Sequence, residues 1–501
     1  MAGWIWCVPA VPFVAFAVIG LLIRRFRRLS AAVSVGAVAV SFLLSLGGLL
    51  SGVSAGKAPP HMAQFVWFNA GAMEAAFGLM LDPVSLAMAA VTMAVVLIAQ
   101  VFPLGYMASE YYACASLLCA SMLGLVLSGG LLQILVCWEV TGLSFYLLAR
   151  LRHDRDADAD ARMFAGGRAF TANILGDVLF LVGVMMLCAR SGSLDLADIQ
   201  ARAVSGGWGA AWVGVVASLL FCGTACKSGL APACMWLCDA AEAPAPASAL
   251  IHVSAAVACV HVLSRLFFLF SLSQGVMVLV FVTGGVTAVF AALVAVAQDD
   301  IRRALSFSCA SQVGCMILTL GAGGAAAGRS HLLASVLPMA LLFLVAGKVV
   351  RLEGTSSIRV MRGLGKQVPW AFWSFAAAAL ALSGVSPFAV SFGGNAIPSP
   401  VAGEDGFPLL LAVAASLLTL LNMGRIFFVA FLGEPRAGEL FPRSRALLAR
   451  IDGNAAREAS AGLARLAARS PIWAGLMRNR AAAMLGGVLV LLIVAGVAGR
   501  H

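Results

Sequence analysis

Charged residues are scarce in this 501-residue chain: they make up 11% of it, whereas hydrophobic residues make up 62%. Soluble domains are about half apolar and carry about a quarter charged residues, so a water-soluble globular protein is excluded. Polar stretches longer than a loop are lacking too, which excludes a soluble nucleotide-binding or cluster-binding domain within the sequence. The mean hydropathy of +0.99 is typical of a protein that lies largely within a membrane.

Long apolar runs take the place of the missing polar stretches. A helix needs roughly 20 mostly apolar residues to cross a bilayer, and about 14 such stretches follow one another along the chain. They predict an all-α polytopic membrane protein. The first stretch, 4–23, has no basic leader before it and no small-residue cleavage site after it, so we interpret it as a retained span and not as a signal peptide.

The net charge of +11 is explained by where the basic residues lie. If the amino terminus is outside, most of the 33 Lys and Arg fall in segments on the inner side, as the positive-inside rule requires. The sequence therefore predicts a bacterial inner-membrane protein with both termini on the outer face. The excess of basic residues therefore reflects membrane topology, and we expect no nucleic-acid partner.

Four units are predicted along the chain: helices 1–3 (1–103), a first repeat of helices 4–8 (104–272), a second repeat of helices 9–13 (273–432), and an amphipathic inner-surface segment plus a final span (433–501). Pro232 and Pro387 each lie within a span and predict a broken helix. Two breaks at comparable places of two halves are typical of inverted-repeat transporters. Simple proline kinks are the alternative, and for the 433–480 segment a disordered basic loop is the alternative to an amphipathic helix.

Ionisable side chains in the middle of a span are costly and indicate function. Glu139, Asp177, Lys227 and His252 lie in four successive predicted spans. A carboxylate and an amine about 4 Å apart interact by about 4 kcal/mol at an effective dielectric near 20, which is enough to couple their proton occupancies. We interpret these residues as a proton relay and expect Glu139 and Lys227 side by side; a static ion pair that pins helices is the alternative.

Other candidate groups are weaker. His331 is a secondary relay candidate, and His261 is interpreted as a packing residue. Cysteines recur at i, i+4 spacing in two pairs, but they lie in apolar surroundings without zinc or cluster spacing, so we predict helix packing and no metal site.

The sequence around these residues resembles the subunit L (chain 5) family of NADH-quinone oxidoreductase, within the wider group of proton-pumping antiporter-like proteins. The most specific match begins with Lys-Ser and ends with a Pro-Ala-Pro…Ser-Ala-Leu-Ile-His segment. Its residues are Lys227-Ser228, Pro232, Trp236-Leu237, Asp239-Ala240 and the stretch 242–252. Shorter matches occur at 105–107, 138–148, 173–177, 192–195, 300–305 and 311–314. The resemblance extends from about 82 to 433.

The resemblance implies a membrane-arm subunit that translocates protons while partner subunits oxidise NADH and reduce quinone. FMN, iron–sulfur clusters and quinone are then expected in the partners, and no cofactor is expected in this chain. Residue by residue, Glu139 matches the family's coupling glutamate, Lys227 its pumping lysine and His252 its relay histidine. Asp177 matches an acidic position near the proton inlet.

The second half departs from the family pattern. Ser335 stands at a histidine position, Met339 at a lysine position, and Gly394 replaces the lysine of a Ser-Lys-Asp motif. Lys348 is a secondary candidate, but it lies nine residues after Met339, about half a revolution away on a helix. We expect Met339→Lys to be tolerated, because the Met339 position is expected to border water.

Two alternatives remain open. The core motifs are shared with membrane subunits of inorganic-carbon uptake complexes and of multi-subunit cation/proton antiporters. The missing second-half lysines also fit a structural spacer subunit that has lost transport.

Overall fold

The computed structural model describes residues 3–54, 61–70, 73–151, 159–384 and 407–432, and this part forms a helical bundle with one β-hairpin. The first half contains α1 (Cys7–Val18), α2 (Arg27–Ser54), β1 (His61–Ala70), β2 (Met73–Leu81), α3 (Pro83–Val101), α4 (Ser109–Val126), α5 (Leu131–Ala149), α6 (Ala159–Ser191), α7 (Leu196–Val204), α8 (Ala210–Ser228), α9 (Met235–Ala240), α10 (Ala245–Arg265) and α11 (Phe267–Phe270). The second half contains α12 (Gln274–Ala297), α13 (Ile301–Gly321), α14 (Ala325–Glu353), α15 (Leu364–Gln367), α16 (Pro369–Leu382) and α17 (Phe407–Ile426). A 3-10 turn, Gly3–Trp6, precedes α1, and π-helical turns, Ile19–Ile23 and Phe427–Leu432, extend α1 and α17.

The helices confirm a polytopic membrane protein. Within the described ranges, 11 helices are long and apolar enough to cross a bilayer, and two shorter apolar helices, Cys7–Ile23 and Pro369–Leu382, match two further predicted spans. The last predicted span, 481–499, lies outside the described residues, so the total of about 14 remains a prediction. The described residues also exclude Pro387, Gly394 and the 433–480 segment. The second helix break and the boundaries of the repeats therefore remain predictions.

The β-hairpin is the one departure from an all-α fold in the described residues. β1 and β2 pair antiparallel, with Phe65 opposite Phe77. The hairpin is fixed to the bundle through the turn between α4 and α5, because the Met80 amide donates to the Leu127 carbonyl (2.7 Å) and the Gly129 amide donates to the Gly78 carbonyl (2.7 Å). We call this end of the bundle the hairpin end.

The predicted break at Pro232 is present. α8 stops at Ser228, and Gly229 adopts φ 68°, a left-handed conformation that glycine adopts readily at a helix end. The carbonyl groups and amides released by the break find protein partners: the Trp236 indole donates to the Cys226 carbonyl (2.9 Å), and the Ala231 amide donates to Thr287 Oγ1 (3.0 Å). A helix is therefore interrupted at membrane depth without leaving these groups unpaired in an apolar medium.

A glycine seam joins α12 to α13. A Cβ added to Gly284 would lie 2.4 Å from the Leu318 amide nitrogen, one added to Gly314 would lie 2.5 Å from the Ala288 nitrogen, and one added to Gly321 would lie 2.3 Å from the Phe281 nitrogen. Small residues let helix backbones approach closely within a membrane, where van der Waals packing drives association. The seam holds the second half together as a tight helical pair.

Candidate functional site

Lys227 lies in the last turn of α8, at the break, and its side chain is fully buried. Its Nζ lies 2.7 Å from Asp177 Oδ1 and donates to the Trp138 carbonyl at 2.8 Å. The ammonium also lies 4.5 Å from the centroid of the Trp138 ring. A position near the carbonyl end of a helix favours a cation, so the break itself helps to accommodate the charge.

The Asp177 carboxylate is held by the same tryptophan. The Trp138 indole donates to Asp177 Oδ1 at 2.8 Å, and the Trp138 ring stacks on Phe180 with 4.9 Å between the ring centroids. The Asp177 side chain is 13% exposed, so the ion pair is largely withdrawn from solvent. Two charge-assisted contacts on one carboxylate fix both its position and its orientation.

Glycines set the spacing of the three helices around this pair. A Cβ on Gly142 of α5 would come 3.0 Å from Lys227 Nζ, so the lysine occupies the room that the glycine leaves. Between α6 and α8, a Cβ on Gly176 would lie 2.6 Å from the Cys226 Cβ, and one on Gly223 would lie 2.7 Å from the Phe180 Cβ. The close approach of α6 to α8 brings Asp177 within reach of Lys227.

Glu139 does not lie where the sequence reasoning placed it. The direct acidic partner of Lys227 is Asp177, and Glu139 is exposed on an outward face of α5 between Val136 and Leu143, which are 38% and 46% exposed. Within the described part of the chain the Glu139 carboxylate accepts no hydrogen bond, but it interacts electrostatically with both Asp177 and Lys227. The pair expected from sequence is therefore a triad, with Glu139 at its outer edge. The orientation of α5 about its own axis explains why the expected pair was wrong, because Trp138, and not Glu139, points inward.

His252 is buried in α10, which packs against α8. Its Nδ1 hydrogen-bonds the Ser248 carbonyl at 2.8 Å, and its ring lies 4.3 Å from the ring of Phe343 on α14. The Leu237 carbonyl also lies close to the ring, and Nε2 has no hydrogen-bond partner among the described residues. The Nδ1 contact fixes the ring and leaves Nε2 as the nitrogen that is available for proton exchange.

The departures on α14 share one face with His331, since His331, Ser335, Met339 and Phe343 follow at intervals of four. Met339 is 0% exposed and Ser335 is 5% exposed, so both are packed in the core. The expectation that the Met339 position borders water finds no support in this burial. Lys348 lies farther along α14 and is half-buried.

His331 begins a hydrogen-bonded set of neutral polar groups in the second half. Its Nε2 hydrogen-bonds Gln312 Oε1 at 2.8 Å, and the Gln312 amide donates to Thr419 Oγ1 at 3.4 Å. Asn422 donates to Ser308 Oγ at 2.7 Å one turn away. Within the described residues, the second half therefore holds hydrogen-bonding groups where the first half holds an ion pair.

The cysteine pairs lie within the helix packing. Cys226 fills the contact between α8 and α6 opposite Gly176, and Cys234 and Cys238 are buried. The described residues contain no group of three His, Cys, Asp or Glu side chains placed to hold a metal ion.

Two family models match the chain. Residues 128–419 match the transmembrane model described as NADH:quinone oxidoreductase/Mrp antiporter, and residues 67–113 match the N-terminal model of chain 5 of NADH-ubiquinone oxidoreductase (complex I). The first match covers the ion pair, the broken helix and the histidines His252, His261 and His331. The chain belongs to the NADH:quinone oxidoreductase/Mrp antiporter family.

Individual members of the family are similar over most of the chain. NAD(P)H-quinone oxidoreductase subunit 5, organellar chromatophore 1, of Paulinella chromatophora is 32% identical over 473 residues, which cover 89% of this chain and 70% of that protein. A chain of the Mrp complex from Dietzia sp. DQ12-45-1b superposes with a TM-score of 0.77 at 23% identity, covering 99% of this chain and 97% of that chain. A chain of respiratory complex I from Thermus thermophilus gives 0.75 at 20% identity, covering 99% of both chains. These two structures share the membrane fold.

Trp138 is a residue of this site that sequence reasoning passed over. It supplies a carbonyl to Lys227, an indole hydrogen to Asp177 and a ring face to the ammonium. The only sequence signal was its position next to Glu139 in a matching motif. Periodicity alone gives no reason to expect one tryptophan to contact both members of an ion pair.

Proposed function

We propose that this chain is a proton-translocating membrane subunit of a complex I-like NADH-quinone oxidoreductase, in which partner subunits carry out the redox chemistry. The observation that carries the proposal is the ion pair between the fully buried Lys227 and the largely buried Asp177, at the end of a helix that stops within the membrane. A charge at this depth is costly unless it has a partner, and residues of this kind mark ion pathways. The chain itself acts as a translocase component without a redox centre of its own.

The position of Glu139 supports a role in coupling to a neighbour. An ionised carboxyl group in the middle of a spanning helix that faces lipid costs about 3 kcal/mol. Another membrane-arm subunit packed over Val136, Glu139 and Leu143 removes that cost and gives the neighbour access to a charge that interacts with Lys227 and Asp177. A charge change in the neighbour then alters the proton occupancy of the pair through Glu139.

Proton transfer proceeds in this scheme from the Asp177–Lys227 pair toward His252. Withdrawal of negative charge at Glu139 weakens the hold on the Lys227 proton, and the return of that charge strengthens it. His252 lies on the adjacent helix α10 with Nε2 available to take a proton. The pair then takes up a replacement proton and His252 gives its proton to the next carrier, so all four groups return to their starting protonation states and one proton has passed through the set.

The orientation follows from the positive-inside rule. Arg24, Arg27, Arg351 and Arg303 lie at the end of the bundle opposite the hairpin, where Arg24 pairs with Glu110 and Arg303 pairs with Glu242 at 2.7 Å. We propose that this end faces the cytoplasm of a bacterial cell and that the hairpin end faces outward. FMN, iron–sulfur clusters and quinone are then bound by the partner subunits.

The test is donor-driven proton uptake by membrane vesicles that contain the assembled complex. Glu139→Gln and Lys227→Met are expected to lower proton uptake by about two orders of magnitude, as loss of a positioned proton carrier does. The matched control is Glu110→Gln, an exposed acid at the end of the bundle opposite the hairpin, for which uptake is expected to remain at the wild-type level. Unchanged proton uptake in both test variants contradicts the proposal and favours a structural spacer subunit that has lost transport.

A cation/proton antiporter subunit is the second candidate, because the family model spans both classes and the Mrp chain matches over nearly its full length. Proteins that co-purify in mild detergent distinguish the two. Subunits with flavin, iron–sulfur clusters and a quinone site support the redox-driven pump. A set of membrane subunits alone, with Na⁺/H⁺ exchange in vesicles, supports the antiporter.

A further inference from the structure

His261 is a buried ionisable group that the proposed relay leaves unused. It lies in α10, nine residues after His252, and it is 1% exposed. Neither ring nitrogen has a hydrogen-bond partner among the described residues; the Val126 carbonyl at the end of α4 lies nearby without hydrogen-bond geometry. Burial of a polar group without a hydrogen bond costs about 1–3 kcal/mol on protein scales, so simple packing does not account for a histidine at this position.

A charged network borders His261 at the hairpin end. Arg265, one turn farther along α10, forms an ion pair with Asp82 at the start of α3 and donates to the Ser85 hydroxyl. The side chains of Arg265 and Asp82 are each 18% exposed, so the network reaches the surface of the bundle. His261 interacts electrostatically with Asp82, with Arg265 and with Arg329 of α14, which are the charged groups that face it from the packed helices in the described residues.

The second half offers a poor continuation for a proton on His252. Phe343 covers one face of the His252 ring, and the next residue on that face of α14 is the fully buried Met339. A thioether and a phenyl ring do not carry protons, whereas α10 itself bears a second imidazole toward the hairpin end. Along α10, the next imidazole toward the hairpin end is that of His261, nine residues and about half a revolution away from His252.

We propose that His261, Asp82 and Arg265 form the proton release site of this chain, at the hairpin end of the first half. The proposal rests on the proposed proton-translocating function. The His261 imidazole accepts a proton on one ring nitrogen from the interior of the bundle and becomes an imidazolium. It then gives up one proton to the Asp82 carboxylate, which passes it to the solvent at its exposed edge, and His261 returns to the neutral form. Arg265 stays charged throughout and holds the Asp82 carboxylate in place.

The experiment measures donor-driven proton release from vesicles that contain the whole complex, over a range of pH on the hairpin side. His261→Phe is expected to lower the rate about tenfold and to abolish the dependence of the rate on hairpin-side pH, while donor oxidation in uncoupled membranes stays at the wild-type level. Cys259→Ala, at a fully buried position two residues away in α10, is the matched control and is expected to keep both the rate and the pH profile.

Other variants separate the different ways in which the proposal can fail. If Lys227→Met stops translocation but His261→Phe leaves the rate and the pH profile unchanged, the release site is wrong and the proposed function stands. If Lys227→Met has no effect either, the proposed function itself fails. Should His261→Phe prevent assembly, Asp82→Asn in an assembled complex provides the test: a changed pH profile supports the release site, and an unchanged one overturns it.

Discussion

Removal of the charges of Lys227 and Asp177, singly and together, distinguishes a proton relay from a static ion pair. With Nζ 2.7 Å from Oδ1, the Coulomb attraction is about 6 kcal/mol at an effective dielectric near 20. Loss of one partner leaves the other charge buried without compensation, which costs about 3–5 kcal/mol. We therefore expect Asp177→Asn and Lys227→Met each to lower the stability of the subunit within its complex by that amount.

The double variant Asp177→Asn/Lys227→Met contains no uncompensated charge. Replacement of a buried ion pair by neutral groups is often close to neutral for stability, so the double variant is expected to regain most of the lost stability, to within about 1–2 kcal/mol of the wild type. Proton translocation is not expected to recover, because no side chain at this site then carries a proton. Subunit retention during heating in mild detergent measures the first quantity, and proton uptake by vesicles measures the second.

Stability and proton uptake, measured together, separate the two alternatives. A static pin predicts that stability and translocation recover together in the double variant. A relay predicts recovery of stability alone. Wild-type proton uptake by the double variant would refute the relay, whatever the single variants do.

Three further outcomes are expected from the described geometry. Gly142→Ala brings a methyl group to 3.0 Å from Lys227 Nζ and is expected to slow proton translocation several-fold with little loss of stability. The control is Gly36→Ala, which has nothing within 4 Å of the added Cβ and is expected to leave proton uptake rates unchanged. Burial disfavours the charged form of Asp82, but the nearby arginine and a backbone amide outweigh it, so the pKa of this carboxyl lies below its ordinary value. The stabilisation that Asp82 provides is thus present above the ordinary aspartate pKa and is lost as the pH falls through the lowered value. Thermal denaturation at decreasing pH is expected to show this loss of stability in the wild type and a smaller loss in Asp82→Asn. Met339→Lys places an ammonium in a fully buried position and is expected to cost several kcal/mol, so a lysine variant that assembles with wild-type thermal stability contradicts the packing described here.

The spanning helices were predictable because hydropathy is a local property of about 20 consecutive residues. The Pro232 break was predictable in part because a proline lacks an amide hydrogen, but the proline alone does not decide it, since α14 continues past Pro338. The hairpin was missed because β1 gives little period-2 signal: Gln64, Phe65, Val66 and Trp67 are all exposed in succession. Its strands form where the chain docks on the turn between α4 and α5, a contact between segments that are distant in the sequence.

The choice of acidic partner for Lys227 was beyond sequence reasoning. Glu139 and Asp177 both lie in the middle of helices next to α8, and spacing does not fix how α5 and α6 are rotated. The Gly176 contact with α8 and the Trp138 hydrogen bond determine that rotation. Glu139, in the stronger motif, was expected to be the partner of Lys227. The actual partner is Asp177, because α6 approaches α8 more closely.

The outward-facing carboxyl of Glu139 also bears on how the cell makes this subunit. A copy that meets no neighbour keeps an acidic group against acyl chains, and a difference of about 3 kcal/mol corresponds to roughly a hundredfold preference for the assembled form. We expect orphan copies to be short-lived and to fall to membrane proteases, so that the supply of the neighbouring subunit limits how much of this chain accumulates. One side chain would then enforce stoichiometry during biogenesis as well as communicate between finished subunits.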